Sequence, residues 1–274
     1  MIELHTHTTY SDGILTPQQL VERAAQAGVK ALAITDHDTL QGWDEAIAAA
    51  QSFDLEIVPG VEVSTVHHGR SLHILGYYPR PELIASPLAE RLAGRKRRAQ
   101  QMVENLAALG YPLKLDILER NMAIGRPHIA HAMVKAGYVT SAQEAFARFL
   151  GEDQPAYVHY EKFTIQEGIA LIRDCGGVPV WAHPYLFRGG KVEAVLPELL
   201  EAGLMGIEVY HPHHRNNKVH RLLNLCQEHN LLLTGGTDYH GSNLEHPEQE
   251  PWQLNRFKLP LSLLESLKQA VARC

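Results

Sequence analysis

Nearly every short apolar segment of this chain ends on, or just before, a residue able to bind a metal ion. The strand-like runs are Ile2–His5, Ala31–Thr35, Glu56–Val61, Leu72–Tyr77, Val178–Ala182, Gly206–Tyr210 and Leu231–Thr234. In them, or just beyond their C-terminal ends, stand His5, His7 and Asp12, then His37, Glu62, His73 and His183, and finally Asp238 and His240. Alternate residues of a strand share one face, so His5/His7 and Asp238/His240 can each aim two ligands in one direction. What repeats is position on the element. That separates this set from His67, His68, His131, His229 and His246, which read as surface or satisfied core histidines. Glu62 follows a buried apolar run, where a lone carboxylate is expensive and a metal ion is its natural partner. Ser11-Asp12-Gly13 would also pass as a plain turn, and His73 as a surface histidine on an alternating strand.

Helical patterns separate most of these strands. Thr16 with Gln19 three residues on, and Pro17 between them, forms a capping box that opens a helix closed by Gly28. Asp38 is expected to cap a second helix through Ala50, and further helices are expected over Lys191–Ala202, Asn216–His229 and Leu261–Ala272. Strand–helix alternation implies right-handed crossovers and a largely parallel sheet. Seven strands in this rhythm predict an α/β fold, a distorted seven-stranded (β/α)7 barrel with its chemistry at the C-terminal strand ends. The rhythm breaks after Pro79-Arg80-Pro81. A long helix over Leu88–Leu109 and shorter ones at Leu113–Asn121, Pro127–Ala136 and Ala142–Phe149 are expected there. Residues 99–160 therefore read as a helical insertion domain for substrate binding, leaving 1–98 and 161–274 as the barrel domain.

Composition narrows the class further. A net charge of −6 over 274 residues argues against coating nucleic acid, while leaving room for a local basic groove. Three scattered cysteines with no C-x-x-C suggest reduced thiols, not a disulfide frame or a zinc ribbon. The sequence starts on a strand, and no apolar run approaches a membrane span, so a cytoplasmic protein with no membrane association is expected.

Six histidines, two aspartates and a glutamate are too many ligands for one ion. They suit two or three divalent metal ions. Imidazole and carboxylate without sulfur fit Mn²⁺, Zn²⁺ or Fe²⁺ and do not choose among them. Clustered divalent ions lower the pKa of water and clamp the oxygens of an in-line displacement at phosphorus, so a phosphoester substrate leads. An amide or lactone hydrolase on a similar barrel is the residual alternative.

The motifs His5-Thr-His7, Ser11-Asp12-Gly13, Thr35-Asp36-His37-Asp38, Pro59-Gly60-Val61-Glu62, Ala182-His183-Pro184 and Thr237-Asp238-Tyr239-His240 occur in this order. In them the chain resembles the polymerase-and-histidinol-phosphatase (PHP) family of metal-dependent phosphoesterases along its whole length. The resemblance implies a first metal on His5, His7, Glu62 and Asp238. A second would share Glu62 and take His73 and His183, and a third would take Asp12, His37 and His240. Mn²⁺ is the ion it most suggests. Catalytic roles would fall to Glu62, Asp238 and His240, the last a candidate proton donor to the leaving oxygen. Asp36 is expected to orient a ligand.

Within the family the chain most resembles the group that hydrolyses the 3′-phosphate of 3′,5′-nucleotide bisphosphates, giving nucleoside 5′-monophosphates. Some of that group are 5′→3′ exoribonucleases on short 5′-phosphorylated RNA. That activity and histidinol-phosphate phosphatase are the alternatives. No protein partner is implied. The segment Gly125-Arg126-Pro127-His128 puts Arg126 and His128 at a helix N-terminus, a site suited to a phosphate. A capped surface helix with incidental charges would look the same. Arg95-Lys96-Arg97-Arg98 reads as a solvated helix face from which Lys96 could reach a phosphate. Tyr210-His211-Pro212-His213-His214-Arg215 ends the sixth strand and is a further substrate-facing candidate.

Overall fold

A computed structural model describes residues 1–115, 118, 122–241 and 253–273. Its seven strands lie in chain order within one sheet: β1 Ile2–Glu3, β2 Ala31–Ile34, β3 Glu56–His67, β4 Arg70–Tyr77, β5 Val178–Trp181, β6 Gly206–Tyr210 and β7 Leu232–Gly235. Backbone hydrogen bonds from His7 to Tyr239 (2.9 Å) and from Tyr239 to His5 (3.2 Å) bring the two ends of the sheet together, nearly closing a barrel. The helices are α1 Pro17–Gln26, α2 Trp43–Ala50, α3 Pro81–Ala108, α4 Arg126–Lys135, α5 Ala142–Ala145, α6 Ile165–Asp174, α7 Val192–Glu201, α8 Asn216–His229 and α9 Leu261–Val271.

Local sequence accounts for most of these elements. The Thr16 capping box forms, with Gln19 N–H donating to Thr16 Oγ1 at 3.2 Å and Thr16 N–H to Gln19 Oε1 at 2.9 Å. Helix α1 then buries Leu20, Val21 and Ala24 against β2, all four of whose residues are buried. Inside the barrel Leu4, Val58, Leu75, Tyr77, Val180 and Ala182 cluster, and the Tyr77 hydroxyl donates to the Leu4 carbonyl at 2.9 Å across the interior.

Three expectations are corrected. The sheet is mixed: β4 runs antiparallel to both β3 and β5. Its cause is a two-residue turn at His68 (φ 47°) and Gly69 (φ 72°), whose positive angles match the twist of a tight hairpin. His73 therefore sits in mid-strand, and β4 delivers it to the site because it runs in the reverse direction. Asp38 does not cap α2, which starts at Trp43. Asp38 instead accepts from the Ser64 N–H (3.0 Å) and pairs with Arg95. Helix α3 begins at Pro81 and runs through Pro87, where burial of Ile84 and Leu88 on either side holds it despite the missing N–H. The helix expected at Leu113–Asn121 lies largely outside the described residues.

Residues of α3, α4, α5 and the turn that continues it share a separate apolar cluster, including Met102, Leu106, Ile129, Met133, Phe149 and Leu150. That turn, Phe146–Leu150, is π-helical. No described helix is long and apolar enough to cross a membrane.

Candidate metal centre

Glu62 is the hub of the site. It is 1% exposed at the β3 position paired with Leu75, and five imidazoles surround its carboxylate. Oε1 meets His73 Nδ1 at 2.8 Å and His183 Nε2 at 2.9 Å. Oε2 meets His5 Nε2 at 3.3 Å, His7 Nε2 at 3.2 Å and His37 Nδ1 at 3.2 Å. Asp238 Oδ1 joins the second group, 3.3 Å from His5 Nε2 and 3.1 Å from His7 Nε2. Asp12 lies 3.2 Å from His240 Nε2, 3.5 Å from His7 Nδ1 and 3.8 Å from His37 Nε2. All nine strand-end residues expected from the sequence thus converge.

The spacings suit cations. Ligand bonds of about 2.1 Å give polyhedron edges of roughly 3.0–3.4 Å, close to the separations among His5, His7, Glu62 and Asp238. Buried His5 Nε2, His7 Nε2, His37 Nδ1, Asp12 Oδ1 and Asp238 Oδ1 have no hydrogen-bond partner, a costly state that bound cations would relieve. Three groups of donors can each hold an ion: His5, His7, Glu62 and Asp238; His7, Asp12 and His240; His37, Glu62 and His73.

The charges point the same way. Burial pushes the Asp12, Glu62 and Asp238 carboxyls up, but the surrounding imidazoles hold all three well below the usual carboxylate range. Burial likewise works against charge on His7, yet Asp238, Glu62 and Asp12 raise it to about 10. His37 is governed by burial and falls to about 3. Three ionised carboxylates demand nearby positive charge, which protons or metal ions can supply.

A surrounding layer fixes the imidazoles. Ser11 Oγ–H donates to Asp36 Oδ1 at 2.6 Å, leaving its oxygen to accept from His7 Nδ1 at 3.2 Å. Asp36 also takes the Thr8 N–H (2.7 Å) and hydroxyl (2.6 Å), the orienting role expected of it. His240 Nδ1–H donates to the Asp238 carbonyl at 2.7 Å, so its Nε2 turns a lone pair inward. A neutral ring so held suits a ligand, and a protonated one presents an Nε2–H to Asp12, 3.2 Å away. Gly13 lets the Ser11–Gly13 turn lie against β1's extension, since a Cβ there would meet the His7 carbonyl oxygen at 2.4 Å. His183 (φ 31°) and Asp238 (φ 52°) hold left-handed backbone angles, strain of a kind that gathers at functional sites.

Sequence reasoning missed two carboxylates. Glu208, fully buried on β6, accepts from His5 Nδ1 at 2.8 Å and from the His183 N–H at 2.7 Å. Glu3 accepts from the Thr237 N–H at 2.6 Å, holding the loop that carries Asp238. The signal was present: each interrupts an apolar strand, the same cost that singled out Glu62.

The donors open into a cavity of about 920 Å³ whose lining also includes Arg126, Phe146, Tyr185, Phe187, Arg188 and His213. Arg126 thus shares a cleft with the donor set, its guanidinium 5.5 Å from the Tyr157 ring centroid. His128 behaves differently. Its Nδ1 accepts the Gly125 N–H at 3.0 Å, and it closes the start of α4 instead of lining the cavity.

The basic run is not a uniformly solvated face. Arg95 and Arg98 are 3% and 5% exposed. Arg98 lies 3.8 Å from the Tyr160 ring centroid, donates to the Val158 carbonyl at 2.7 Å, and keeps a buried Nη2 without a partner. Lys96, the residue expected beside a phosphate, lines a separate groove with Gln41, Trp43 and Met122. Residues 95 and 98 share a helix face, and 96 is rotated about 100° away from 95. Of the second histidine group, His211 is buried with Nε2 3.4 Å from Asp238 Oδ2, His213 lines the cavity, and His214 bonds the Val209 carbonyl.

Comparison with known proteins agrees with this chemistry. A model of the PHP domain matches residues 3–137. The chain is 34% identical over 245 residues to a 5′-3′ exoribonuclease of Haemophilus influenzae, covering 87% of this chain and 89% of that one. It is 33% identical over 263 residues to a 3′,5′-nucleoside bisphosphate phosphatase of Chromobacterium violaceum, covering 91% and 92%. The fold superposes with a TM-score of 0.87 on a candidate metal-dependent phosphoesterase of Bifidobacterium adolescentis, 34% identical, covering 98% of this chain and 95% of that chain. The chain belongs to the PHP family of metal-dependent phosphoesterases.

Proposed function

We propose that this phosphoesterase removes the 3′-phosphate of 3′,5′-nucleotide bisphosphates and leaves nucleoside 5′-monophosphates. The observation that carries the reading is a guanidinium lining the same cleft as the donor set. Arg126 faces the cavity that holds the donor set, with Arg95, Arg98, Tyr157 and Tyr160 packed behind it. A substrate with two phosphates has one for the metal donors and one for the guanidinium, a fork suited to phosphate oxygens. The cavity is of a size that takes a nucleotide, and the aromatic residues Phe146, Tyr185 and Phe187 are among those lining it.

His5, His7, Asp12, His37, Glu62, His73, His183, Asp238 and His240 would hold two or three divalent ions, Mn²⁺ foremost, with Glu62 shared. When bound, such ions supply an activated water at neutral pH and offset the charge that develops on the phosphoryl oxygens. The chain's part is to fix the donors through Glu208, Ser11 and Asp36, and to hold the far phosphate on Arg126. Residues 99–160 would act as the substrate-binding domain on a barrel of 1–98 and 161–274. The test is phosphate release from adenosine 3′,5′-bisphosphate, histidinol phosphate and short 5′-phosphorylated RNA on one metal-loaded preparation. A bisphosphate kcat/KM at least tenfold above the others is expected. Preference for either of the others would replace the reading.

A further inference from the structure

Away from the central cleft, a second set of ligand-type residues meets at the tip of the β3–β4 hairpin. His67 and His68 face Glu198 of α7, with one donor atom from each inside a 4.8 Å spread. His67 Nε2 lies 3.7 Å from Glu198 Oε2, and His68 Nε2 3.7 Å from Glu198 Oε1. Neighbouring strand residues normally point to opposite faces. Here the left-handed angle of His68 turns its ring back onto His67, and the two stack with centroids 3.8 Å apart.

Two features go beyond a chance surface cluster. His67 is 7% exposed, and its Nε2 is buried beside Glu198 without a hydrogen-bond partner. His68 Nδ1–H donates to the Gly189 carbonyl at 3.1 Å, which leaves the Nε2 lone pair aimed towards Glu198. A carbonyl behind the far ring nitrogen is how metal-binding histidines are commonly oriented. Two imidazoles and a carboxylate make a three-ligand set with a fourth position open to water.

We propose that His67, His68 and Glu198 form a peripheral site for one late first-row divalent cation, Zn²⁺ foremost, distinct from the central donors. None of the three lines the central cavity. Two nitrogens and one oxygen favour Zn²⁺ over Mn²⁺ in the usual affinity order. An ion there joins α7 to the tip of the β3–β4 hairpin.

The test counts total metal, because Zn²⁺ can also enter the central donors. Wild type, His68→Ala and Glu198→Gln are loaded with Mn²⁺, exposed to excess Zn²⁺, freed of unbound ions by gel filtration and measured for both elements. Each variant should hold about one equivalent less total metal than wild type. Its Mn²⁺-loaded turnover of p-nitrophenyl phosphate should be unchanged. Equal metal content in all three proteins would overturn the proposal. So would a loss of metal matched by a loss of turnover, which would place these residues in the service of the centre.

Discussion

At the scale of single residues, the centre depends on carboxylates placed where water cannot compensate them. Glu62 has imidazoles on both oxygens, so Glu62→Gln keeps the shape and removes the charge that two ions would share. Elemental analysis should find at least one metal equivalent lost, with turnover falling in step. Full activity in this variant would contradict a bridging role. Glu208 is fully buried and accepts hydrogen bonds from His5 Nδ1–H and from the His183 backbone N–H. Glu208→Gln can accept only one of them well. Metal affinity should drop by about 10- to 100-fold, the usual cost of losing a partner behind a ligand, and chelator titration measures it.

At the scale of elements, the β3–β4 hairpin and helix α4 both reach the central cavity. The hairpin brings Glu62 and His73 together through antiparallel pairing, while α4 presents Arg126 to the same cavity. Arg126→Ala should cost about 1.5–3 kcal/mol of transition-state binding on a bisphosphate, the size of a charged hydrogen bond, or roughly 10- to 100-fold in kcat/KM. p-Nitrophenyl phosphate has no second phosphate and should be turned over almost unchanged. Equal losses on both substrates would assign Arg126 to the reacting phosphoryl group or to the fold.

The ligand positions were legible because apolar strands end where their polar ligands begin, a pattern that survives without coordinates. The direction of β4 was not, since a strand has the same alternation whichever way it runs. His68-Gly69 was its only local sign. Lys96 was misplaced for a related reason. Four adjacent basic residues look equivalent in sequence, and tertiary partners decide that two turn inward: Asp38 and Ser64 hold Arg95, while Tyr160 and the Val158 carbonyl hold Arg98.

For the whole molecule, the centre should make stability depend on pH and on metal in opposite ways. Burial disfavours charge on His7, but its carboxylate neighbours raise it from its ordinary 6.5 to about 10. A raised histidine stabilises the fold fully below about pH 6.5 and loses that contribution as pH climbs through about 10. The melting temperature of chelator-stripped protein should therefore fall between pH 6.5 and 10, as Glu62 and Asp238 lose a cationic neighbour. Metal binding needs neutral imidazoles, so added Mn²⁺ should raise the melting temperature more at pH 9 than at pH 6. A gain that shrinks with pH would contradict the assignment of these histidines.

The proposed division between a metal-binding barrel and a phosphate-holding helix would also fix which bond breaks. If Arg126 holds the 5′-phosphate, the donors around Glu62 are left with the 3′ end of the nucleotide. The direct measurement is to digest adenosine 3′,5′-bisphosphate with the metal-loaded enzyme and separate the products by chromatography. Adenosine 5′-monophosphate should accumulate with one equivalent of phosphate. Accumulation of adenosine 3′-monophosphate would mean that the two phosphates have been assigned to the wrong walls of the cleft.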